Sequence, residues 1–192
     1  MTASEIAVDV TAAAFRHVMG HFVTGVTVIT AIGADGQPTG TTANAVSSLS
    51  LDPPLLLVCF DRASLTLQAV RSHRAFAVNM LADEQQHLSV NFARRGLAAA
   101  WEGVRHYAGP TGSPRLHGAL AVVECTLEHE LPGGDHEIVV GRVRDVTSQS
   151  DGSPLVYWRG SYATLASGAG SNPDARARPS HLDESREPSG IP

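Results

Sequence analysis

Apolar and polar positions change their period several times along the chain, and each change marks an element. From Thr11 the sequence TAAAFRHVMGHF sets Phe15, Val18, Met19 and Phe22 at helical spacing, behind a threonine suited to cap a helix. Residues 23–32, VTGVTVITAI, switch to β-branched residues alternating with small ones, which predicts a strand. Ala34-Asp35-Gly36-Gln37 then supplies a hairpin-type turn, so a second strand returns beside the first. Residues 54–60 read as a buried strand, 64–73 as a helix opened by a serine cap, 75–81 as a strand and 83–94 as a helix. After a loop rich in Gly and Pro (103–114), two long strand patterns, 116–131 and 137–147, join across Pro132-Gly133-Gly134-Asp135, and 155–158 forms a last strand. Strands that pair with their neighbours, with only short helices between them, predict a mainly β fold and an antiparallel barrel. No G-x-G-x-x-G lies between a strand and a helix, so a nicotinamide cofactor would not bind in the Rossmann manner.

One stretch breaks the pattern. GTTANAVSSLSLDPPLLLVCF, residues 40–60, offers small side chains and short polar groups for eleven residues before turning strongly apolar. Read as a single strand, Thr41, Ala43, Ala45 and Ser47 would face one way and Thr42, Asn44, Val46 and Ser48 the other, so neither face supplies a packed core layer. Either this is a polar edge strand, or small side chains let a flat ligand approach the backbone and take hydrogen bonds from main-chain N–H groups and from Thr, Asn and Ser.

Length and composition narrow the choice. A chain of 192 residues, 43% hydrophobic, has the size of one domain. We place that domain at 11–166, with a flexible N-terminus at 1–10 and a disordered tail at 167–192, where Leu182 and Ile191 are the only large aliphatics. A net charge of -5 without a basic patch argues against nucleic acid. Neither a signal peptide nor a membrane-length apolar run is present, so the expectation is a cytoplasmic protein without membrane attachment. Cys59 and Cys125 sit in apolar strand patterns, which suits buried thiols in a reducing compartment. All fourteen basic residues are arginine, and the lack of lysine excludes a P-loop and a pyridoxal-phosphate Schiff base. His17 and His21 are four apart, but no third metal ligand accompanies them, and no G-x-S-x-G elbow marks a hydrolase.

Asp61-Arg62-Ala63-Ser64-Leu65-Thr66 follows the third strand and opens a helix, a setting for a cap or for a phosphate held by Ser64, Thr66 and the helix N-terminus. At this point GTTANAVSSLSLDPPLLLVCFDRAS, the following AFAVNML, the NFA at 91–93 and GDHEIVVGRV at 134–143 together resemble the short-chain flavin reductases, reductase components of two-component flavin-dependent monooxygenases. The resemblance spans residues 15–165.

It implies an FMN-binding split β-barrel, a homodimer, reduction of FMN or FAD by NADH or NADPH, and delivery of reduced flavin to a partner monooxygenase. It places the flavin along Thr41, Thr42, Ala43, Asn44, Ala45, Ser47 and Ser48, continuing to Cys59, Phe60 and Asp61, with Ser64 and Thr66 at the phosphate and Phe92 and Tyr157 in the same site. Gly134, Asp135 and His136 match the GDH turn on the nicotinamide side, His136 positioning the ring; the local pattern alone favours a polar residue beside a glycine turn. A flavin carrier without turnover and an oxidase of the pyridoxamine-phosphate type on the same barrel are the alternatives. The second needs a basic cluster that the sequence does not display.

Overall fold

The computed structural model describes residues 10–94 and 98–165 of the 192. The expected tail at 167–192 and all but Val10 of the expected flexible N-terminus lie outside the described residues. The elements run α1 (Ala12–Met19), β1 (Thr24–Gly25), β2 (Thr27–Ile32), β3 (Pro38–Ala43), β4 (Val46–Leu51), β5 (Pro54–Asp61), α2 (Leu65–His73), β6 (Ala75–Met80) and α3 (Gln86–Phe92). They continue with β7 (His106–Ala108), β8 (Pro114–Leu116), β9 (Ala121–Gly133), β10 (His136–Ser148), β11 (Val156–Trp158) and β12 (Ser161–Ala163). Both predicted caps form: Thr11 Oγ1 accepts from Ala14 N at 3.2 Å, and Ser64 Oγ from Leu67 N at 3.3 Å. No helix among the described residues is long and apolar enough to cross a membrane.

Seven antiparallel strands form the main sheet in the order β3-β2-β6-β9-β10-β5-β4. Its two edge strands, β3 and β4, are consecutive in the chain and joined only by Asn44 and Ala45. A flat sheet would hold those edges about 29 Å apart at a strand spacing of roughly 4.8 Å. Three residue steps reach only about 11 Å. The sheet must therefore curl until its edges meet, and at the seam Cys59 N of β5 donates to Ala45 O at 3.0 Å. This is the antiparallel barrel that the strand pattern predicts, in the split form that the family resemblance implies. The small-residue stretch is accordingly two strands on opposite edges, with the chain crossing the seam between them.

Other boundaries also differ from the periodicity. Val26 separates β1, which pairs with β11, from β2 in the main sheet. The 116–131 pattern splits at Gly118, whose φ of 78° is a left-handed conformation, and Leu116 belongs to a separate ribbon with β7. On that ribbon Arg115 pairs with the fully buried Glu124 of β9 and with Asp145 of β10, fastening it to the sheet.

Inside the curl, Ile29, Val58, Phe60, Phe76, Val78, Cys125 and Val139 pack with Leu67, Ala69 and Val70 of α2. Burial pushes the Cys125 thiol up to about 12, so it remains a protonated core group. Outside the curl, Val28, Leu81, Leu88, Phe92, Leu116 and Leu155 form a second cluster beneath α3. Gly141 lies where the β9–β10 register shifts, and a Cβ there would stand 2.5 Å from Phe76 Cζ and 2.7 Å from Cys125 Cβ. Gly141→Ala should lose about 1–3 kcal/mol through overpacking. A lowered urea midpoint at constant slope checks this, and an unchanged midpoint would mean that Phe76 turns aside freely.

Candidate functional site

Strand register brings the sequence motifs together. β10 pairs with β5 so that His136 stands opposite Asp61, Glu137 opposite Phe60 and Ile138 opposite Cys59. The two-residue turn of the β9–β10 hairpin, with Gly134 at φ 74°, is thereby set beside the end of β5, where the chain turns toward α2. Arg62 secures this arrangement: its N–H donates to Asp135 O at 3.3 Å and its Nε to Glu137 Oε1 at 2.8 Å.

A cavity of about 190 Å³ opens at this junction, lined by Thr41, Thr42, Ala43, Asn44, Ala45, Cys59, Phe60, Asp61, Ser64 and His136. The sequence names every one of these residues. Phe60 contributes main chain, because its side chain is buried in the inner core. Thr42 Oγ1 donates to Ser89 O of α3 at 2.7 Å and Asn44 Nδ2 to Thr24 Oγ1 at 3.3 Å, whereas the Thr41 hydroxyl makes no hydrogen bond among the described residues. His136 Nδ1 donates to Asp135 Oδ1 at 2.7 Å, which holds the Asp135 carboxyl below the usual carboxylate range.

A second cavity of about 830 Å³ adjoins the first and shares Thr41, Asp61 and Ser64 with it. Thr66 and Phe92 line this larger space. Thr66 is buried, its hydroxyl 3.4 Å from that of Thr39, and the Phe92 ring covers Gly40, where a Cβ would stand 3.0 Å from Cε1. Sequence reasoning missed the rest of this wall, including Gln37, Thr39, Gln68, Arg94 and Trp101, contributed by segments far apart in the chain. The lone tryptophan in an alanine-rich stretch was the signal available for it.

The remaining named residues lie apart from both cavities. Ser47 and Ser48 are exposed on β4 beyond the seam. Gly134 and Asp135 form the hairpin tip, Asp135 reaching the site through His136. Tyr157 on β11 stacks edge to face on Tyr162 at 5.4 Å, and Tyr162 Oη lies 2.8 Å from Ser89 Oγ on α3.

Small side chains, main-chain groups and neutral hydroxyls around a shallow cleft suit the edge of a flat heterocycle, and the capped N-terminus of α2 suits a phosphate attached to it. The donor set therefore fits a flavin nucleotide.

Comparison with known proteins agrees with this chemistry. Residues 19–166 match the model of the flavin reductase like domain. The chain is 40% identical over 151 residues to the reductase subunit of a flavin-dependent monooxygenase from Rhodococcus jostii (strain RHA1), covering 79% of this chain and 76% of the relative. It is 41% identical over 155 residues to an NADH-dependent FMN reductase of Streptomyces nodosus subsp. asukaensis, covering 79% and 83% respectively. Among solved structures, the NADH:FAD oxidoreductase of Streptomyces globisporus in complex with NAD and FAD fragments superposes with a TM-score of 0.76 at 33% identity, covering 82% of this chain and 94% of that one.

Proposed function

Since the chain belongs to the flavin reductase like family, we propose that the small cavity at the β3–β4 crossing is where it reduces flavin. The protein is an NAD(P)H-dependent flavin reductase that takes FMN or FAD and supplies reduced flavin to a partner monooxygenase. One observation carries the assignment of the site: the strand register gathers the small-residue crossing, the end of β5, the α2 cap and His136 around a single cavity.

Bound flavin and nicotinamide supply the hydride chemistry themselves. The chain's task is orientation and exclusion of water. Thr41 and the main chain of residues 42–45 hold the ring edge, Ser64 and Thr66 hold the phosphate, and His136 fixes the nicotinamide from the opposite strand. Steady-state oxidation of NADH and NADPH with FMN, FAD and riboflavin as acceptors tests the reading. Turnover with at least one pair is expected, and flavin binding without turnover would replace it with flavin storage.

Bulk at the crossing should obstruct the ring. Ala45 is exposed in the protein, so Ala45→Leu leaves the core intact while filling the cavity mouth. We expect flavin affinity to fall about tenfold, by the 1–3 kcal/mol that an overfilled site costs, with little change in melting temperature. Equal losses of both would make the crossing ordinary packing.

The active form is a homodimer in this reading. No residue of α1 is buried, Phe15, Val18 and Met19 stand exposed along it with Phe22 exposed just beyond its end, and Leu51 on the edge strand β4 is 91% exposed. A cavity of about 190 Å³ also leaves most of a flavin ring uncovered. Sedimentation at micromolar concentration should show a dimer, and a fully active monomer would contradict this arrangement. The free thiols Cys59 and Cys125 support a cytoplasmic setting.

A further inference from the structure

The hairpin tip that carries His136 is held by a residue that touches neither cavity. Asp61 and Ser64 line both spaces and Ala63 the larger one, whereas Arg62 between them lines neither. Arg62 faces the β9–β10 turn instead, and its two contacts bracket His136: its main-chain N–H donates to Asp135 O at 3.3 Å, and its Nε donates to Glu137 Oε1 at 2.8 Å. Its charge also bears on the Asp135 carboxylate, which is held low chiefly by His136 and to a lesser degree by Arg62. Residues 131–135 are all exposed, so burial does not fix the tip and hydrogen bonds must. The loop that supplies the anchor is tightly wound, with Ser64 N donating to Asp61 O at 2.9 Å and Ala63 N to Asp61 Oδ1 at 2.8 Å.

We propose that Arg62 and Glu137 are a positioning pair that sets His136 at the angle hydride transfer requires, acting through the hairpin and on neither ligand. The proposal rests on the reductase reading, in which His136 orients the nicotinamide. A second ion pair on the same hairpin provides the control: Arg71 of α2 pairs with Glu130 of β9, which stands opposite Val139, three residues along β10 from His136. Both pairs are partly exposed and add little to stability. Only the Arg62 pair adjoins His136, so placement rather than ion-pair strength separates them.

The test compares Arg62→Ala, Glu137→Ala, the two combined, Arg71→Ala, and Arg62→Ala in a His136→Ala background. At saturating FMN, Arg62→Ala and Glu137→Ala should each lower kcat/KM for the nicotinamide cofactor about tenfold, part of the roughly hundredfold that displaced reacting atoms lose. Combining them should cost no more than either alone. FMN affinity and melting temperature should stay near the parent's, and Arg71→Ala should match the parent throughout. Because Arg62 acts through His136, its loss should cost nothing further once His136 is alanine. Amide exchange at residues 134–137 should quicken about tenfold in Arg62→Ala while the buried part of the hairpin keeps its rates. Parent kinetics in both single variants, or an undiminished tenfold loss in the His136→Ala background, overturns the proposal. A parent without turnover on NADH or NADPH would remove the reductase reading alone, and the exchange rates would then decide the clamp: a faster tip keeps it, and an unchanged tip removes it.

Discussion

Replacing Ser64 and Thr66 together by alanine should weaken FMN binding by at least about a hundredfold while leaving riboflavin close to the parent. Hydrogen bonds to a charged acceptor contribute about 1.5–3 kcal/mol each, and two of them sum to about 3–6 kcal/mol, above the roughly 2.8 kcal/mol that corresponds to a factor of a hundred. Both residues line the larger cavity at the start of α2, where the helix N-terminus also favours a negative group. Ser64 additionally caps the helix through Leu67 N, so the double variant should lose about 0.5–2 kcal/mol of stability as well. Riboflavin, which lacks the phosphate, separates the two effects in parallel titrations. Equal losses for FMN and riboflavin would place the phosphate elsewhere.

The second large effect belongs to His136. His136→Ala should raise the KM for the nicotinamide cofactor, lower the rate of hydride transfer, or both, on the order of a hundredfold in combined efficiency, because displaced reacting atoms lose about that much. Flavin affinity should stay near the parent's. The structure gives His136 the attributes of a positioning group: Nδ1 is tied to Asp135, the adjoining main chain is tied to Arg62, and the ring sits on a different strand from the Thr41–Ala45 wall. Rapid-mixing kinetics at saturating flavin decide the matter. A variant that binds flavin poorly but reacts normally with NADH once saturated would move His136 into the flavin site.

The sequence made the elements legible where periodicity was strong. The β2–β3 hairpin, the Ser64-capped helix and the long β9–β10 hairpin stand where alternation, a cap and a glycine turn predict them. The GDH turn meets the small-residue stretch through the β5–β10 register, a contact between distant segments that no local pattern encodes and that the family resemblance supplied. The break at Asn44-Ala45 was invisible for a physical reason. With every side chain from Thr41 to Ser48 small, a reversal of faces leaves no hydrophobic register to violate. That these residues cross a barrel seam follows only from the strand order of the whole sheet. The larger cavity was hidden differently: its walls come from 33–41, 61–72, 92–94 and 100–101, segments that no local pattern links.

The central claim, that this barrel holds flavin and nicotinamide together for hydride transfer and then lets reduced flavin go, is tested most directly by anaerobic mixing of the FMN-loaded protein with NADH deuterated at C4. The account predicts rapid bleaching of the flavin absorbance with a deuterium isotope effect, followed by recovery of reduced flavin in the filtrate on ultrafiltration. Flavin that stays oxidised under saturating NADH and NADPH, although it is bound at the β3–β4 crossing, would contradict it.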